Sequence, residues 1–88
     1  MATMKLRVDN LSPETTADDV RAIFESFGLV YDVWLVAERS NARPSGFGLV
    51  EMDVDAGAIA RGYLDGRTFG GRVITVIEAR ERVGGDAR

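Results

Sequence analysis

The chain has 88 residues, 45% of them apolar, which is enough for one hydrophobic core and no second. It contains neither cysteine nor histidine, which removes disulfides, thiolate zinc sites, thiol nucleophiles and the commonest general base. A net charge of −3 argues against a uniformly basic nucleic-acid binder and moves the question to how the charges are distributed. The N-terminus shows no charged segment followed by a long apolar run, and nothing approaches the roughly 20 apolar residues of a membrane span. The expectation is a cytoplasmic domain with no membrane partner and no cofactor.

In chain order, Lys5 to Leu11 alternates Leu6 and Val8 with Arg7 and Asp9, the pattern of a strand buried on one face. Ser12-Pro13-Glu14 ends it. Thr16, three residues before Asp19, forms a near capping box, and Val20, Ile23, Phe24 and Phe27 then fall on one helical stripe that Gly28 stops. Leu29 to Val36 is rich in β-branched and aromatic residues and reads as a second strand, followed by a polar loop through Arg39 and Arg43. Gly46 to Met52 is the third strand. Asp53 to Leu64 is a second helix, weakened by Gly57 and Gly62, each costing about 1 kcal/mol relative to alanine. A turn, Asp65 to Gly71, leads into a last strand, Arg72 to Ile77. The domain is taken as residues 4–82 and the remaining 83–88 as a flexible C-terminal tail.

The order βαββαβ predicts an α+β, ferredoxin-like fold, a four-stranded antiparallel sheet with two helices on one face and the other face open. That scaffold carries many functions, so the open face must decide.

Two stretches on the predicted strands carry a resemblance. "LRVDNL" resembles the first-strand hexapeptide of the RNA recognition motif family, and "SGFGLVEM" is similar to its third-strand octapeptide at Gly46, Phe47, Gly48 and Val50. The resemblance covers about residues 5 to 80 and is nearest to short single-domain bacterial members. It implies binding of single-stranded RNA on the open face, with bases stacked at positions that here are Arg7, Phe47 and Leu49. One ring of three survives.

Alternation suggests a partial replacement, because Trp34 and Val36 share the open face if Val33 and Leu35 point at the helices. Arg7 can also stack through its guanidinium plane. The candidate RNA-binding residues are therefore Lys5, Arg7, Trp34, Arg43, Phe47, Leu49, Arg72, Ile77 and Arg80. Glu14, Asp18, Asp19 and Glu25 lie on or beside the first helix, so most of the acid sits on the helical side. Asp9, Asp32 and Glu51 oppose phosphate on the strand side.

A second reading keeps the fold and changes the partner. Arg67-Thr68-Phe69 resembles the Arg-x-Phe turn of family variants that capture a tryptophan-containing basic peptide against their acidic helices. Self-association through the exposed rings is a further possibility for a protein partner. An enzyme finds no support, since the first loop, "SPETT", has no arginine to cradle phosphate and no nucleophile with a base can be drawn.

Overall fold

In the computed structural model, residues 2–38 and 45–79 are described. They form β1 (Thr3–Leu11), α1 (Ala17–Glu25), β2 (Val30–Glu38), β3 (Ser45–Asp53), α2 (Val54–Leu64), β4 (Thr68–Phe69), β5 (Arg72–Val73) and β6 (Thr75–Ala79). The main sheet has the order β2-β3-β1-β6 with every pair antiparallel. The fold is the ferredoxin-like one, with both helices packed on one face.

Period-two alternation decides what that face contains. Leu6, Val8, Val50, Met52 and Val76 all point inward and are fully buried, and α1 and α2 close over them with Val20, Phe24 and Ala60. No buried polar or charged residue interrupts this layer among the described residues.

α1 begins as the capping box requires. Thr16 Oγ1 accepts from the Asp19 amide at 3.1 Å, and the Thr16 amide donates to Asp19 Oδ2 at 3.0 Å. Its end differs from expectation. The helix stops at Glu25, capped at Ser26, so Phe27 lies beyond it and reaches the core from the loop, edge-on to Tyr63 at 5.6 Å. Gly28 serves a different purpose from a helix stop: a Cβ there would stand 2.7 Å from Ala56 Cβ, so the glycine lets this loop lie against α2. The two glycines of α2 also differ, since a Cβ on Gly57 would press on Met4 whereas Gly62 faces open space.

The last predicted strand is divided in two. Arg72 and Val73 pair with Phe69 and Thr68 as a separate two-stranded ribbon, and only Thr75–Ala79 joins the main sheet beside β1. Gly70 and Gly71, with φ of 62° and 83°, supply the tight turn, which needs two consecutive positive-φ residues. Ile74, buried between the halves, exchanges backbone hydrogen bonds with Arg67 and Gly66 and prevents the strand from continuing straight. The ribbon is tied to β1 at a bulge, where Asn10 adopts φ 69° and its Nδ2 donates to the Val73 carbonyl at 2.9 Å.

Candidate nucleic-acid interface

The register places four side chains in one row across the uncovered face of the sheet. Trp34 pairs with Leu49, Leu49 with Arg7, and Arg7 with Ile77, so β2, β3, β1 and β6 each contribute one residue. Trp34 and Ile77 are more than two-fifths exposed, and Leu49 is half-buried between its neighbours. Phe47 follows on the next row, opposite Val36. Lys5 occupies the row on the other side, paired with Glu51 and Ala79.

The glycine between Phe47 and Leu49 faces inward and is buried. A Cβ on Gly48 would lie 3.0 Å from Leu35 Cδ2 and 3.3 Å from the Trp34 carbonyl oxygen, so glycine allows β2 to close on β3 and holds both outward side chains at a fixed spacing.

Phe47 and Trp34 each carry a cation. The Arg7 guanidinium lies over the Phe47 ring with Cζ 3.9 Å from its centroid, and Lys5 Nζ reaches across β3 to within 5.5 Å of the Trp34 ring. The carboxylates that opposed phosphate in the sequence are engaged locally. Asp9 accepts from Arg7 Nε at 2.9 and 3.1 Å, Glu51 from Thr3 Oγ1 at 2.9 Å, and Asp32 from the Val33 amide at 3.0 Å. At the edge of the face the Tyr31 hydroxyl donates to Asp53 Oδ1 at 2.9 Å. That bond, with desolvation and the nearby Asp53 and Glu51 charges, raises the tyrosine's pKa above its ordinary value.

Lys5, Arg7, Trp34, Phe47, Leu49 and Ile77 therefore share one surface. Arg72 does not. It belongs to the ribbon, with Nη1 3.5 Å from Asn10 Oδ1 and 3.4 Å from the Leu11 carbonyl oxygen, at the end of β1 and off the main sheet. Arg43 and Arg80, with Arg39, Arg82 and the tail, lie outside the described residues. Asp9 lies on this surface beside Arg7, whereas the Asn10 side chain is turned to the ribbon with Arg72. The available signal was the i, i+2 spacing that puts Asp9 on the same strand face as Arg7.

On the helical side, the β4–β5 turn and α1 enclose a groove of about 450 Å³ lined by Glu14, Asp19, Ile23 and Phe69 among others. Arg67 turns away from it, donating to the Tyr63 carbonyl at 2.9 Å and lying over the Tyr63 ring. Among the described residues no His, Cys, Asp and Glu cluster could hold a metal ion, and no helix is long and apolar enough to cross a membrane.

Comparison with known proteins agrees with this architecture. The family model described as RNA recognition motif matches residues 6–75. RbpE and RbpA of Nostoc sp. are each 41% identical over 80 residues, which is 90% of this chain and 81% and 78% of theirs. The crystal structure of RNA binding protein PG1 superposes with a TM-score of 0.79 at 32% identity, covering 91% of this chain and 98% of that one. With the strand signatures, the sheet order and these relatives all in agreement, the chain belongs to the RNA recognition motif family.

Proposed function

We propose that this domain binds single-stranded RNA weakly across the open sheet face. The observation that carries the reading is the row Trp34-Leu49-Arg7-Ile77 with Phe47 beside it, an uncovered apolar and cation-bearing surface on a scaffold whose other face is fully packed. Bases find flat partners in the Trp34 indole and at the Arg7–Phe47 pair, and Leu49 and Ile77 form an apolar floor between and beside them. Lys5 supplies charge near Trp34, and Arg43 and Arg80 are proposed as further phosphate contacts. Relatives named for RNA binding, such as PG1, support the assignment of ligand class.

Affinity follows from the balance of terms. A stacked base is typically worth about 1–3 kcal/mol, and two such places favour a short oligonucleotide. The long-range charge term is small, because Asp9 and Glu51 stand among Lys5 and Arg7 on the same face.

The groove beside Phe69 favours a second reading, capture of a basic peptide bearing an aromatic residue, with Glu14 and Asp19 at its rim and Ile23 and Phe69 against the ring. Arg67 is committed to Tyr63 in this structure, which weakens that alternative. A nuclear magnetic resonance titration with short random oligonucleotides separates the two. Shifts confined to β1, β2, β3 and β6 support the sheet face. Absence of shifts there, with a basic tryptophan peptide moving Ile23 and Phe69 instead, overturns it.

A further inference from the structure

At Phe47 the ring shares its surface with the cation lying over it. The Arg7 guanidinium lies over the ring, its Cζ 3.9 Å from the centroid, and its Nε is held by both oxygens of Asp9. Phe47 is correspondingly only half-exposed. Asp9 lies within the register shift between β1 and β3, beside Asn10, whose side chain donates to the Val73 carbonyl of β5, and on its other side it pairs with Thr75 of β6. The ion pair uses Nε and leaves the terminal amino groups of the guanidinium out of that contact.

We infer that Asp9 is a positioning residue for RNA binding: it locks Arg7 flat on Phe47, so that the two act as a single stacking unit whose ligand-facing plane is the guanidinium. The inference rests on the sheet-face reading above. A long arginine loses considerable rotamer freedom on binding, and a neighbouring carboxylate that fixes its plane beforehand removes part of that cost. The charge of Asp9 alone acts the other way, because a carboxylate repels the phosphate backbone. The two effects have opposite signs, and that makes the role testable.

The experiment compares wild type, Asp9→Asn and Asp9→Glu for binding to a short random single-stranded RNA at fixed salt, with thermal melting as a control for folding. Neutralising Asp9 removes repulsion, so electrostatics alone tightens binding in Asp9→Asn and leaves Asp9→Glu unchanged. Positioning instead weakens both, by about threefold or more, on the scale of a fraction of one stacking contact. In the free protein, the Arg7 Nε–H resonance carries the ring-current shift of Phe47 in wild type and loses it in both variants. Tighter binding by Asp9→Asn, an unchanged Asp9→Glu, or an unmoved Arg7 resonance overturns the inference while wild-type binding keeps the sheet-face reading in place. Failure of the wild type to bind RNA removes both. If either variant fails to fold, Arg7→Lys replaces it. That variant retains charge without a plane, and full wild-type affinity in it rejects the guanidinium as the stacking surface.

Discussion

The two faces of the sheet are built from the same strands, one residue out of phase, and they obey different rules. On the inner face Leu6, Val8, Val50, Met52 and Val76 are buried without a polar group among them, and their requirement is volume. On the outer face Trp34, Phe47, Leu49 and Ile77 flank Lys5, Arg7 and Asp9 of β1, and apolar and charged side chains stand together uncovered. The comparison teaches that the loss of a ring has different consequences on the two sides. A core aromatic has no substitute but another apolar side chain of similar size. The outer position held by Arg7 carries a guanidinium in place of a ring, with its Cζ over Phe47 and its Nε on Asp9.

The comparison breaks most clearly under mutation. Leu6→Ala should destabilise the domain by about 2–5 kcal/mol, measured by denaturant unfolding, because it opens a cavity beneath both helices. A loss below 1 kcal/mol would mean that the inner face is not close-packed. Phe47→Ala and Trp34→Ala should each weaken RNA binding by about 1–3 kcal/mol and alter melting much less than Leu6→Ala does. Trp34 fluorescence should change as oligonucleotide is added, and a silent indole would remove Trp34 from the interface.

The same inner-versus-outer logic applies to the glycines of α2. Gly62→Ala, on the open side, should stabilise by up to about 1 kcal/mol through helix propensity, whereas Gly57→Ala should gain nothing or lose stability against Met4. Equal effects in chemical denaturation would contradict the packing distinction.

The smallest effect expected is at the edge of the outer face. The hydrogen bond to Asp53 raises the Tyr31 pKa, so its contribution is present below the ordinary tyrosine value and is lost as pH rises through the raised one. Asp53→Ala should lower the Tyr31 midpoint in an ultraviolet absorbance titration. No movement would show that the bond is not formed in solution.

Much of this protein was determined by local pattern. Alternation in Lys5–Leu11 and Gly46–Met52 marked which side chains face outward, and the Thr16–Asp19 capping box located the start of α1, because both depend on neighbours two to four residues apart. The outward placing of Trp34 followed from the same parity, whereas its neighbour Leu49 was set by the β2–β3 register. Tertiary structure alone decided the rest. Arg72 leaves the main sheet because Gly70 and Gly71 turn the chain into a ribbon that Asn10 ties to β1, 63 residues away in sequence from its partner Val73. The close approach at Gly28 depends on Ala56, and the end of α1 on the packing of Phe27. For Asp9 the sequence showed the charge and the strand face shared with Arg7 but not the contact, because whether a carboxylate stands free or binds the arginine beside it depends on where the Arg7 side chain lies. That position is set by Phe47, on a strand forty residues further along the chain and brought alongside by the fold.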